Sequence, residues 1–129
     1  VGLLLTHSVG STAEFTQYAG TEALIGDQSQ VDAVIAEYER RRNAIVDGLN
    51  SLPGVSCQKP QGAFYVFPNI KGLGKTSDEV VNWFIEEAGV ALLPGTSFGK
   101  FGEGYLRLSY ANSIENIEKA IEKMAKIIK

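Results

Sequence analysis

The chain has 129 residues, 44% hydrophobic and 21% charged, with a formal net charge of −3. That suits one compact domain with a buried core and leaves no basic field for nucleic acid. No apolar run approaches the ~20 residues of a membrane-spanning helix, Leu3-Leu4-Leu5 being far too short. The single cysteine, Cys57, cannot form an internal disulfide, which fits a reducing, cytoplasmic setting. One histidine and one cysteine far apart argue against a zinc site built by this chain. No signal-peptide pattern is present, and an opening on Val1 rather than methionine reads as a piece of something longer.

In chain order, Ser11-Thr12-Ala13-Glu14 has the spacing of a capping box, serine at the N-cap and glutamate three residues on. It predicts a helix with Phe15, Tyr18, Ala19 and Ala23 at helical spacing, stopped at Gly26. A longer helix begins near Asp27. Its apolar stripe is Val31, Val34, Ile35, Tyr38, Ile45 and Leu49, and Pro53-Gly54 ends it. The run Arg40-Arg41-Arg42 lies between stripe positions and reads as a solvated helix face with pairs such as Glu37–Arg41. Val55–Lys59 and Ala63–Phe67 are strand candidates separated by Pro60-Gln61-Gly62. Thr76-Ser77-Asp78-Glu79 is a second capping box, leading to Val80, Val81, Phe84, Ile85 and Ala88 on one face, with Gly89 as the stop. Val90–Leu93 reads as a short buried strand closed by Pro94-Gly95. After a glycine-rich loop comes the strand Tyr105–Asn112, and then a last helix capped by Asn112 and Glu115, with the stripe Ile114, Ile117, Ile121, Met124 and Ile128.

From Asp27 onward the order is α-β-β-α-β-β-α, an α+β fold with a small, largely antiparallel sheet and packed helices. Residues 1–26 stand outside that pattern and supply a preceding helix.

Two glycine-rich stretches fail as phosphate cradles. Gly74-Lys75-Thr76 has Asn69 where the first glycine is required, and Gly95–Lys100 is one residue short with Phe101 in place of a hydroxyl residue. His7 beside Ser8 is not a nucleophile–base pair, and Asp78-Glu79 and Glu86-Glu87 read as helix-start and helix-face acids.

Arg107 is different. Leu106, Leu108 and Tyr110 share one strand face, while Arg107 and Ser109 point to the other. A guanidinium held on a rigid strand beside a hydroxyl is suited to bidentate capture of a carboxylate or phosphate. On spacing alone, a solvated strand face whose arginine covers apolar surface is the alternative.

Three segments together resemble the C-terminal part of the class I, fold-type I pyridoxal-phosphate aminotransferases, the aspartate-aminotransferase-like group. They are Pro60-Gln-Gly-Ala-Phe-Tyr65, Val90-Ala-Leu-Leu-Pro-Gly-Thr-Ser-Phe-Gly99 and Gly104-Tyr-Leu-Arg-Leu-Ser-Tyr-Ala-Asn112. Thr6-His-Ser8 with Phe15-Thr-Gln-Tyr-Ala19 is similar to the family's dimer-interface segment at the end of its large domain. The chain departs from the pattern at Gly10-Ser11-Thr12, where many relatives carry Ser-Asn-Pro.

The resemblance implies an enzyme that exchanges an amino group between an amino acid and a 2-oxo acid, as a homodimer using pyridoxal 5′-phosphate. Residues 1–26 would be the tail of the large cofactor domain, and 27–129 the small C-terminal domain. Arg107 would hold the substrate α-carboxylate, and Phe64 would border the substrate, with Gly62 and Ala63 letting backbone approach. The Schiff-base lysine lies in a Ser-Lys motif in the family, and this chain has no such dipeptide. It therefore supplies no catalytic and no cofactor-binding residue, and is expected to be inactive alone. Composition and topology by themselves equally fit a stand-alone, non-catalytic α+β module that binds an amino acid or a protein partner.

Overall fold

A computed structural model describes residues 1–128 of the chain. It divides into two compact units, Val1–Ala33 and Val34–Lys129. The first contains helices α1 (Gly2–Ser8) and α2 (Glu14–Ile25), neither of which has a buried residue. Ser11 does not cap α2. The N-cap is Ala13, whose methyl can accept nothing, and the entry is held instead by Gln17 Nε2 donating to the Thr12 carbonyl at 2.8 Å. Gly26 ends α2 as expected.

Helix α3 (Ser29–Asn50) starts where the Asp27 carboxylate accepts from both the backbone N–H and the hydroxyl of Ser29. Only its C-terminal part is core: Ile45, Val46 and Leu49 are buried, whereas Val31, Val34 and Ile35 are 50–59% exposed. Glu37 pairs with Arg41 at 2.8 Å and with Arg40 at 3.1 Å, the solvated arrangement expected. Arg42 departs from it. Its side chain is mostly covered, and its Nε is buried with no hydrogen-bond partner.

The sheet has three strands in the order β1-β3-β2, all antiparallel: β1 (Tyr65–Val66), β2 (Leu93–Pro94) and central β3 (Leu106–Ser109). Tyr65 lies opposite Ser109 and Val66 opposite Leu108, while Leu93 lies opposite Arg107. The expected strand Val55–Lys59 does not form, and a single bridge between Ser56 and Asn69 replaces it. The reason is local. The Asn50 side chain at the end of α3 takes the backbone of Cys57, its Oδ1 accepting from the Cys57 N–H at 2.7 Å and its Nδ2 donating to the Cys57 carbonyl at 3.0 Å. Those groups are then unavailable to a ladder. The β2 strand also falls later than the expected Val90–Leu93. It closes at Pro94, which has no N–H to donate.

Helix α4 (Ser77–Trp83) carries the capping box complete: Thr76 accepts from the Glu79 N–H and Glu79 accepts from the Thr76 N–H. Helical structure continues as a π-turn over Phe84–Ala88 and stops at Gly89, whose φ of 62° suits glycine. The wider turn shifts the phase of the stripe, so Val80, Val81, Phe84 and Ala88 are buried while Ile85 is not. Helix α5 (Ile114–Ile127) is capped by Ser113, one residue after the expected Asn112, and buries Ile117 and Met124. These apolar faces meet the inner sheet face, Val66 and Leu106, in one core.

Candidate functional site

Strand alternation decides what faces outward. Val66 and Leu106 go into the core at 1% exposure, so their alternates Tyr65 and Arg107 stand on the opposite face, with Leu93 paired across from Arg107. The loop after β2 completes the surroundings. A short 3₁₀ turn, Gly95–Phe98, brings Phe98 back over the sheet. Gly95 and Gly102 make that possible, because a Cβ on either would collide with the other's backbone.

The result is a guanidinium between two rings. The Arg107 Cζ is 4.4 Å from the Tyr65 ring centroid and 4.1 Å from that of Phe98. Phe98 packs edge-on against Phe67 at 6.3 Å, and Phe67 stacks on Tyr105 at 5.6 Å, extending an aromatic face around the arginine. Cation–π contact holds a guanidinium through its faces and leaves its N–H edges free. Among the described residues Arg107 has no ion-pair partner. Beside it lies an open depression of about 250 Å³ lined by Tyr65, Leu93 and Ser109 among others. A half-buried, pre-oriented and unpaired fork of this kind can take a carboxylate through two parallel hydrogen bonds.

Phe64, Gly62 and Ala63 line a different cavity, of about 430 Å³, together with Tyr38, Arg42 and Tyr110. The structure therefore does not bring Phe64 and Arg107 into one depression. Tyr65 separates and connects them, its ring 4.3 Å from that of Phe64. Ala63 has φ 59°, the only positive φ outside glycine among the described residues, at a cost of roughly 1–2 kcal/mol for an L-residue. A side chain at Gly62 would meet nothing within 4 Å, so nothing inside this chain requires glycine there.

Reasoning from sequence missed Tyr65 and Phe98 as holders of Arg107. Tyr65 was reachable, since alternation within Ala63–Phe67 turns it away from Val66, onto the sheet face that carries Arg107 and its own register partner Ser109. Phe98 was not, because it arrives from a loop. No described group of His, Cys, Asp and Glu could hold a metal ion. The depression beside Arg107 contains no lysine, so the residues present do not fit a carbonyl cofactor that must be held through an amine.

The family model described as "Aminotransferase class I and II" matches residues 3–124. An aspartate aminotransferase of Pyrococcus horikoshii is 42% identical over 127 residues, covering 97% of this chain and 32% of the relative. An aromatic-amino-acid aminotransferase of Thermococcus litoralis is 45% identical over 117 residues, covering 89% and 30%. The solved aromatic aminotransferase from Pyrococcus horikoshii superposes with a TM-score of 0.80 at 43% identity, covering 88% of this chain and 31% of that one. The chain thus spans about a third of the length of the relatives it matches. It belongs to the class I and II aminotransferase family.

Proposed function

We propose that this chain is the substrate-gripping C-terminal portion of a cytoplasmic, homodimeric aminotransferase that moves an amino group between an amino acid and a 2-oxo acid. Residues 1–26 are the tail of its large cofactor domain, and residues 27–129 its small domain. Pyridoxal phosphate, held by the remainder of the enzyme, supplies the electron sink for the exchange. The residues of this chain bind and orient. Arg107 grips the α-carboxylate and so fixes the substrate Cα relative to the cofactor domain, a positioning role. Phe64, on the Gly62-Ala63 turn, forms an apolar wall that keeps water from the substrate. Without the lysine that carries the cofactor, the fragment alone is inactive.

One observation carries the reading: the Arg107 guanidinium lies over both the Tyr65 and Phe98 rings and has no ion-pair partner among the described residues. The test is Arg107→Ala in the full-length enzyme. Losing one partner of a desolvated charge pair costs about 2–5 kcal/mol, or roughly thirty- to several-thousand-fold in kcat/KM. Arg107→Lys should recover only part of this, since an ammonium cannot reproduce the fork. The loss should shrink for amines that have no α-carboxylate. Near wild-type kcat/KM for amino acids in Arg107→Ala would return Arg107 to a solvated strand face.

A further inference from the structure

Tyr110 is nearly fully buried, and it makes two hydrogen bonds to one short segment. Its backbone N–H donates to the Phe64 carbonyl at 2.9 Å, and its hydroxyl donates to the Ala63 carbonyl at 2.7 Å. The second bond lands on the one non-glycine residue held at positive φ among those described. A left-handed alanine does not persist unless its surroundings over-determine it. Here the strand that bears Arg107 supplies that restraint through a residue three positions further on.

We infer that the Tyr110 hydroxyl is a positioning residue for substrate binding, locking Ala63 in its left-handed conformation and thereby setting the Phe64 ring. The rings around it support this assignment. Tyr38 packs edge-on against Tyr110 at 6.2 Å and lies tilted against Phe64 at 6.4 Å, so the phenol and the phenylalanine share one wall. Phe64 in turn contacts Tyr65, which covers one face of Arg107. The wall and the carboxylate grip are thus tied to a single stretch, residues 107–110. The inference rests on the reading of Phe64 as a border of the substrate.

The experiment uses the full-length enzyme with Tyr110→Phe, Ala63→Gly and the double variant. Tyr110→Phe keeps the ring and removes only the hydroxyl. Amide hydrogen exchange over residues 61–66 should speed up in Tyr110→Phe, and KM for the amino acid should rise about two- to tenfold, the effect of one neutral hydrogen bond, with kcat little changed. Ala63→Gly in the Tyr110→Phe background should restore most of the KM, because glycine adopts the left-handed turn without strain. Unchanged exchange at 61–66 in Tyr110→Phe overturns the lock, whatever the activity. Faster exchange with unchanged KM overturns its role in binding. Arg107→Ala assayed alongside separates the two readings. If it is silent, the proposed carboxylate grip fails, while the exchange result still decides the fate of the Tyr110 lock.

Discussion

Arg107 shows how neighbours change what a side chain is for. An exposed arginine would spread its charge into water and gain little. Held between Tyr65 and Phe98, its guanidinium is placed in advance, so under the proposed carboxylate grip less rotamer entropy remains to be lost on binding. Cys57 is the opposite case. Burial pushes its thiol up to about 11, outweighing a backbone hydrogen bond from Phe67. At pH 8 only roughly one thiol in a thousand is then thiolate, the reactive form. Alkylation of the folded chain by iodoacetamide should accordingly run about a hundredfold slower than that of a free cysteine, which titrates near 8.5. Adding denaturant should restore the ordinary rate. Reaction of the native chain at the free-cysteine rate would mean that the Cys57 site opens readily.

At the scale of elements, the connection from Gly95 to Gly104 is more than a link between β2 and β3. The Gly95 N–H donates to the Tyr105 carbonyl at 2.8 Å, and the Gly104 N–H donates to the hydroxyl of fully buried Ser77 at 2.9 Å. Glu103 accepts from the N–H and hydroxyl of the same serine, so the loop is pinned to the start of α4 as well as to the sheet. Gly102 packs directly on the Gly95 backbone. Gly102→Ala must push the two segments apart, and overpacking of this kind costs about 1–3 kcal/mol. Urea denaturation of the purified chain should show that loss as a lower midpoint at unchanged slope. Under the proposed carboxylate grip, the same variant in the full-length enzyme should raise KM for amino acids, because Phe98 no longer sits over Arg107. A wild-type midpoint would show that the glycine pair is not under steric constraint.

For the molecule as a whole, the two units differ in what they bury. Val34–Lys129 contains every residue of the hydrophobic core, from Ile45 to Ile128. Within Val1–Ala33 the large apolar residues stand in water, Phe15 at 79% and Leu24 at 83% exposure. No residue of α2 is buried. Amide hydrogen exchange on the dilute 129-residue chain should therefore protect α5 and the sheet strongly, and leave Phe15–Leu24 to exchange fast. Protection of Phe15–Leu24 equal to that of α5 would show that α2 is stable without further covering.

The sequence by itself determined the local, periodic and short-range features. The stripe of α5 and the box Thr76–Glu79 are repeats or spacings inside one segment, and so is the alternation that turns Arg107 away from Leu106; the structure has each of them. It also determined the α+β class, because the order of elements leaves few ways to bury their apolar faces. The tertiary structure decided whatever depends on a partner distant in sequence. Asn50 claims the backbone of Cys57 and cancels a strand that Val55–Lys59 would otherwise favour. The first half of the α3 stripe has the right period but stays half exposed, since period reports which residues share a face and not whether that face is met. Phe98 reaches Arg107 only because two glycines let a loop fold back, and Ala63 holds its left-handed turn under a hydroxyl 47 residues away. These contacts join residues that no local pattern connects, and they are the ones that shape the site.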